Sequence, residues 1–420
     1  MMESTLHKIL AQLSEFDPDT PFVVQDWTGE VTRYGRGEAV FRLRIHSLNA
    51  LKRTLKDGGL GFGEEFMAGN IEVEGDLQAF LKLKEAPVYD TGQLSWGEKG
   101  RFLLSLLRTR NTVQRVKKNV SHHYDLGNDF YRLWLDESMT YTCAYFRTPQ
   151  DTLEQAQLNK HEHICRKLRL EPGQTLVDIG CGWGAMLFYA AEHYGVKAVG
   201  YTISKEQHEW LQAEIVRRGF EGQVSVKLKD YREVEEQYDR FVSIGMAEQV
   251  GKQFLGTYFE SIKRMLKPGG TGLLHTIGVP ISYPNDPWIE KYIFPGGYLP
   301  TLGEMVDAMA QLKLVPVDIE DLRLHYGHTL DHWYQRFSQH EATVEKMYGK
   351  QFVRMWRLYL NVAAVTFRYG NSRLYQIAFT NGLDNSQPRT RQYIYPEISP
   401  KATEFAPKAF SEKSKLGANS

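Results

Sequence analysis

One stretch constrains this chain more than any other: Thr175-Leu176-Val177-Asp178-Ile179-Gly180-Cys181-Gly182-Trp183-Gly184-Ala185-Met186. An apolar, β-branched run reaches an acid, a loop follows with glycine at every second position, and an amphipathic segment begins beyond it. Strand, tight turn and helix in that order open a doubly wound α/β sheet, where ligands sit beyond the carboxyl ends of the strands. Glycines let the backbone approach a ligand closely, and a helix start offers unpaired amides. Taken alone, the loop is a weak signal, and a plain tight turn is its less favoured alternative.

The neighbouring sequence extends the pattern. Strand 175–179 leads to a helix over 184–194, strand 198–201, a helix over 204–218 and strand 224–228. Strand 238–244, a helix over 254–266 and strand 271–276 follow, with Lys267-Pro268-Gly269-Gly270 read as the helix stop. Strands separated by helices predict a parallel, doubly wound sheet. Residues 281–400 are aromatic and loop-rich (Trp288, Tyr292, Phe294, Tyr298), with long helices expected around 329–347 and 350–369 and a last strand at Leu374–Phe379.

Residues 1–100 read as a separate small α/β domain with an apolar face. An amphipathic helix (Leu6, Ile9, Leu10, Leu13) precedes the alternating strand Ala39–Ile45. The glycines of Gly58-Gly59-Leu60-Gly61-Phe62-Gly63 are read as turns between short strands. From 101 to 118, Arg101, Arg108, Arg110, Arg115, Lys117 and Lys118 occur without an acid, interleaved with leucine and phenylalanine. Such a basic linker suits either an anionic lipid surface or a solvated helix with one packed face. The expected organisation is therefore 1–100, a lipid-interacting domain; 101–118, a linker; 119–400, a catalytic domain; and 401–420, a polar, disordered tail.

The totals exclude several classes. Among 420 residues, 51 basic side chains balance 51 acidic ones, so no global field favours nucleic acid. Three cysteines make no disulfide framework, no Cys/His cluster has zinc spacing, and a reducing cytoplasm fits. The start Met1-Met2-Glu3-Ser4-Thr5 lacks the features of a signal peptide, and no apolar run is long enough for a membrane span. The expectation is a cytoplasmic protein, at most peripherally membrane-associated.

The loop spacing is GxGxG, not the dinucleotide GxGxxG, and the second strand ends Gly200-Tyr201-Thr202-Ile203-Ser204 with no acid for a ribose diol. Both facts count against a nicotinamide cofactor. S-adenosylmethionine needs close backbone contact, has no phosphate, and carries a sulfonium that aromatic faces and carboxylates stabilise. Asp178 suits it, although a loop-capping carboxylate is the plainer alternative. Asp230-Tyr231, after the third strand, is placed to meet an adenine.

Four motifs then carry a resemblance. They are Val120-Ser121-His122-His123-Tyr124-Asp125-Leu126-Gly127-Asn128-Asp129-Phe130-Tyr131, Met139-Thr140-Tyr141-Thr142-Cys143-Ala144-Tyr145-Phe146, Asp178–Gly184 and Gly245-Met246-Ala247-Glu248-Gln249-Val250-Gly251. In this order they resemble the cyclopropane-fatty-acyl-phospholipid synthases and the related mycolic acid cyclopropane synthases, from about residue 40 to 385. The resemblance implies a Rossmann-like, S-adenosylmethionine-dependent methyltransferase that adds a methylene across a cis double bond of a phospholipid acyl chain in the membrane surface. It also implies that bicarbonate, held by Cys143, Glu248, His275, Tyr326 and the main chain of Ile277, removes the proton that lets the ring close. For the cofactor it implies Tyr124 near the sulfonium, Tyr141 and Thr142 beside the methionine, Asp178, Gly180 and Gly182 on the loop, Thr202 and Gln207 on the ribose side, and Asp230 and Tyr231 at the adenine.

Each catalytic candidate has a plainer alternative. Cys143 reads as a small core residue, Glu248 as an acid favoured at a helix start, and His275 as a satisfied core histidine. His122-His123 is no metal pair, because adjacent side chains point apart. Two departures from the family matter: Ala247-Glu248-Gln249 replaces Phe-Glu-His, and Asn361-Val362-Ala363-Ala364 lacks a cysteine that some members carry. The first leaves open a methylene- or methyl-branched product. Monomer or homodimer is left open, and a non-catalytic lipid-binding protein is the rival from another class.

Overall fold

The computed structural model describes residues 2–85 and 126–395. The basic stretch 101–118, Tyr124, the His122-His123 pair and the tail 401–420 lie outside the described residues.

The N-terminal unit begins with α1 (Met2–Phe16), whose Leu6 and Leu10 are buried. Four strands follow in the sheet order β2-β1-β3-β4: β1 (Phe22–Gln25), β2 (Val31–Tyr34), β3 (Phe41–Ile45) and β4 (Ile71–Gly75). In β3, Phe41, Leu43 and Ile45 are buried and Arg42 and Arg44 are only partly so, the period-2 pattern of a one-sided sheet. Between β3 and β4 lies α2 (Leu48–Ala68), started by the Ser47 side chain, which accepts from the Ala50 amide.

The glycine passage expected to form turns belongs to α2. Only Gly58 leaves helical geometry, at φ 57°, and it kinks the helix. Gly61 and Gly63 stay helical and serve close approach instead: a Cβ on the first would strike the Arg53 carbonyl, and one on the second the Trp288 indole. Missing side chains make room here without ending an element. Helix α3 (Leu77–Glu85) completes the unit.

The second unit carries α4 (Asn128–Arg132), α5 (Leu153–Leu168), β5 (Thr175–Ile179), α6 (Ala185–Tyr194), β6 (Lys197–Thr202), α7 (Lys205–Arg218), β7 (Val224–Leu228) and β8 (Tyr238–Ile244). It continues through α8 (Leu255–Met265), β9 (Leu266–Gly278), α9 (Pro287–Tyr292), α10 (Leu302–Gln311), β10 (Leu314–Asp321), α11 (Arg323–Gln339), α12 (Glu341–Tyr348), α13 (Lys350–Arg368) and β11 (Arg373–Asn381). Its seven strands run in the order β10-β11-β9-β8-β5-β6-β7. The pairs from β9 to β7 are parallel, as the alternation predicts, while β11 lies antiparallel between β9 and β10.

Three local differences have physical reasons. Strand β10 went unread because Pro316 and the acids at 318, 320 and 321 hide it; it is an edge strand, with a bulge between Pro316 and Asp318, where proline is tolerated. The Lys267–Gly270 turn signal lies inside β9, opposite an irregular register with β8. The helix expected at 329–347 begins at Arg323 and breaks at His340 into α11 and α12.

The two units are packed together. Arg354 on α13 donates to Glu72 at 2.7 Å, Lys291 on α9 pairs with Glu64 at 2.7 Å, and the indole of Trp288 lies against Met67, its Nε1 3.3 Å from the sulfur. No helix among the described residues is long and apolar enough to cross a membrane.

Candidate active site

The site gathers at the carboxyl ends of β5, β6, β8 and β9. Gly180, Gly182 and Gly184 all have positive φ (79°, 55° and 83°), and a Cβ on Gly180 would lie 2.9 Å from Met246. A side chain there would be strained and would push on the loop after β8. The amides of Gly180 and Cys181 both donate to the Tyr201 carbonyl, at 2.9 and 3.2 Å, and so tie the loop to the end of β6.

Asp178, on β5, is buried, and its Oδ1 has no hydrogen-bond partner. Burial pushes its carboxyl up to about 7, opposed by the charge of Lys160. Thr202 and Gln207 are brought together: the Thr202 hydroxyl donates to Gln207 Oε1 at 2.9 Å and accepts from the Ser204 amide at 3.1 Å. Asp230 is engaged by Arg232, whose guanidinium donates to both carboxylate oxygens at 2.8 and 2.7 Å. Tyr231 packs edge-on to Tyr258, ring centroids 5.4 Å apart.

The segment 136–146 lies across this end of the sheet. Asp136 accepts from the amides of Ser138 (2.9 Å) and Thr140 (3.0 Å), and between them Met139 is held at φ 58°. A non-glycine residue in that region is costly and persists only where surroundings impose it. Helix α5 clamps the next turn: Gln157 donates to the Thr142 carbonyl at 2.9 Å, and Lys160 Nζ donates to the Thr142 hydroxyl at 2.8 Å. The Ala144 amide donates to Thr329 at 3.0 Å. Cys143 is fully buried and burial pushes its thiol up, so the group stays neutral.

Tyr141 stands in a box of rings, 5.6 Å from Tyr131, 5.2 Å from Trp134 and 5.1 Å from Trp333, with its hydroxyl 2.8 Å from that of Tyr359. Trp183 of the glycine loop lies 5.3 Å from Tyr131. Tyr326, on α11, packs against Phe367 at 4.4 Å and Trp333 at 6.0 Å and adds to the charge environment of Tyr141.

Glu248 lies in a 3-10 turn after β8, buried, and its Oε1 accepts from the Ile277 amide at 2.6 Å. Oε2 has no partner. Burial pushes its pKa up and makes it a weaker acid, while the Ile277 amide and the Thr276 hydroxyl oppose that rise. His275 precedes Ile277 by two residues on β9, with the Gln376 amide nitrogen 3.2 Å from Nδ1. With that nitrogen accepting, the ring proton sits on Nε2, which has no partner. Burial, with Lys160 and Lys167 nearby, holds His275 well below its ordinary range and therefore neutral.

Sequence reasoning missed Lys160, although it links the set. This wholly buried ammonium acts electrostatically with Asp178, Cys143 and His275, while the Tyr258 hydroxyl lies in the fields of Asp178 and Glu248. A signal was available: in Leu153, Ala156, Lys160, Ile164 and Lys167, lysines stand at helical spacings that otherwise hold core residues.

A glycine loop of this spacing on this sheet, with an acid on the strand before it, defines the α/β fold of S-adenosylmethionine-dependent methyltransferases. The family model described as mycolic acid cyclopropane synthetase matches residues 111–377, and the chain belongs to that family. It is an S-adenosylmethionine-dependent enzyme of the cyclopropane synthase kind. A second model, for a domain of unknown function, matches residues 6–86. The chain is 38% identical over 352 residues to the cyclopropane-fatty-acyl-phospholipid synthase of Escherichia coli, covering 83% of this chain and 90% of that one. It is 33% identical over 362 residues to the tuberculostearic acid methyltransferase UfaA1 of Mycobacterium tuberculosis, covering 80% and 82%. The solved mycolic acid cyclopropane synthase CmaA1 complexed with SAH and CTAB superposes with a TM-score of 0.60 at 33% identity, covering 63% of this chain and 98% of that one.

Proposed function

We propose that the chain adds a methylene across the cis double bond of an unsaturated phospholipid acyl chain at a membrane surface. The observation that carries this reading is Glu248: a buried carboxylate fixed by the amide of Ile277, two residues beyond His275 on β9. A carboxylate that accepts and an imidazole Nε2 that donates are the groups a small protonated oxyanion would need. Family resemblance supplies its name, bicarbonate.

S-adenosylmethionine supplies an electrophilic methyl; the alkene π pair forms the new C–C bond and the sulfonium leaves as neutral thioether. The chain's part is to align, to exclude water and to remove a proton. Tyr131, Trp134, Tyr141, Trp183 and Trp333 wall the region with rings whose faces tolerate the cation that methyl transfer leaves on the acyl chain. Gly180 and Gly182 admit the donor, Asp178 faces its positive end, and Thr202, Gln207, Asp230 and Tyr231 take the nucleoside. Tyr124 and the 101–118 stretch, as the sulfonium neighbour and the lipid contact, belong to the same proposal. Glu248 accepts from the anion's hydroxyl and raises its basicity, while His275, Tyr326 and the Cys143 main chain donate. A proton of the new methyl then passes to the anion held there, and its C–H pair closes the ring.

Product analysis tests the reading. Vesicles of oleoyl phospholipid with S-adenosylmethionine should give acyl esters heavier by one methylene and resistant to mild hydrogenation. A reducible product of the same mass would establish the branched outcome instead, which Ala247, buried beside Glu248, leaves room for. Glu248→Gln and His275→Ala should each abolish turnover while S-adenosylhomocysteine binding persists; loss of binding in both would put them in another pocket. Vesicle binding that does not weaken with salt would remove the basic stretch from the lipid contact.

A further inference from the structure

We propose that Lys160 is an anion-binding residue of this site, holding a planar carboxylate-type oxyanion against the 141–143 turn. The inference rests on the reaction proposed above, because that reaction brings in two such anions: the α-carboxylate of the cofactor's methionine and bicarbonate.

An ammonium has three N–H donors. Lys160 is 0% exposed, and among the described residues its Nζ makes one hydrogen bond, to the Thr142 hydroxyl at 2.8 Å. No carboxylate among the described residues forms an ion pair with it. Asp136, whose charge reaches it, spends its oxygens on Ser138 and Thr140. Asp178 also acts on it from a distance and keeps Oδ1 unpartnered. Burial pulls the Lys160 ammonium down to about 7, against the charges of Asp136, Cys143 and Asp178, so an entering anion would restore its full charge, and natural structures rarely leave such buried groups unmet.

The charge balance points the same way. The titratable groups around the ammonium are Asp136, Cys143, Asp178, His161 and His275. His275 and His161 are held neutral by burial, and Cys143 is a thiol. Glu248 and Asp178 are acids. An anion entering among these groups meets one cation able to receive it, and that cation has two donors to spare. A planar oxyanion places two oxygens on one side, matching those donors and the amides of the adjoining turn.

The experiment uses the full-length enzyme, Lys160→Met and Lys160→Arg, with calorimetric binding of S-adenosylhomocysteine and of its decarboxylated analogue, and with turnover measured against bicarbonate concentration. If the cofactor carboxylate is the ligand, Lys160→Met weakens S-adenosylhomocysteine by about tenfold or more, and the variant binds both compounds alike. If bicarbonate is the ligand, S-adenosylhomocysteine affinity is unchanged and half-maximal bicarbonate rises by about tenfold or more. A folded Lys160→Met that keeps both quantities at wild-type values overturns the proposal. Should Lys160→Met not fold, Lys160→Arg decides: its guanidinium keeps the affinity for whichever anion binds, and loss of both overturns the assignment. A wild type that binds S-adenosylhomocysteine through Lys160 yet makes no ring product would sink the reaction and leave the anion site standing.

Discussion

Lys160 and Lys167 lie two turns apart on α5, both wholly buried, in opposite surroundings. Lys167 sits between Glu320 at 2.6 Å and Asp318 at 3.2 Å; Glu320 also takes the His163 ring at 2.7 Å, and Asp318 the Arg391 guanidinium at 2.5 Å. Every charge there has a partner, and the cluster joins α5 to the edge strand β10. Lys160 has the Thr142 hydroxyl and the more distant charges of Asp136 and Asp178. One helix thus carries a lysine whose charge is spent on holding the fold and another whose charge is kept for a ligand. Burial alone does not separate them; partner inventory does.

The comparison breaks first under Lys167→Met, which leaves Glu320 and Asp318 facing no ammonium. Urea unfolding should show a loss of about 3–5 kcal/mol, with S-adenosylhomocysteine affinity per folded molecule unchanged. Equal stability losses for Lys160→Met and Lys167→Met would erase the distinction.

The two surroundings should also respond to pH in opposite senses. Burial would raise Glu320, but His163 and Lys167 overcome it and hold the carboxyl at about 2, below its ordinary 4.5. Its contribution to stability is present above pH 4.5 and lost as the pH falls through 2. Asp178 runs from 3.8 up to about 7, so its contribution is present below pH 3.8 and lost as the pH rises through 7. Glu320→Gln should flatten the acid limb of the unfolding-midpoint profile, and Asp178→Asn the limb between 3.8 and 7 in ligand-free protein. Both acting on one limb would contradict the assignment of partners.

The smallest effect expected is that of Thr142→Val. It removes the one protein hydrogen bond of Lys160 and should cost about 1–2 kcal/mol in the ligand-free state. Saturating S-adenosylhomocysteine should recover part of that loss if the cofactor carboxylate is the anion.

Local patterning explains how much was readable beforehand. The strand-loop-helix at 175–186 needs nothing from the rest of the chain, since apolar residues, an acid and spaced glycines specify it together. Glu248, His275 and Ile277 could be nominated by resemblance, but the Ile277 amide on Glu248 depends on the register of β8 against β9, which no single strand records. Strand β10 was lost because edge position excuses a proline and several acids. The glycines at 58–63 were misread because the same residue serves both turns and close approach, and only the partner, Trp288, tells them apart. Lys160 was passed over because lysine is rarely buried, so its residue type outweighed its place in the helical period.

The seat that Gly63 gives to Trp288 has a mechanical consequence. Trp288 belongs to α9, and only residues 279–286 separate that helix from the end of β9, where the Ile277 amide grips Glu248. With no side chain at Gly63 to act as a cushion, a displacement of α2 meets the indole directly. The N-terminal unit therefore bears directly on the helix that follows the strand holding Glu248, with one irregular segment between them.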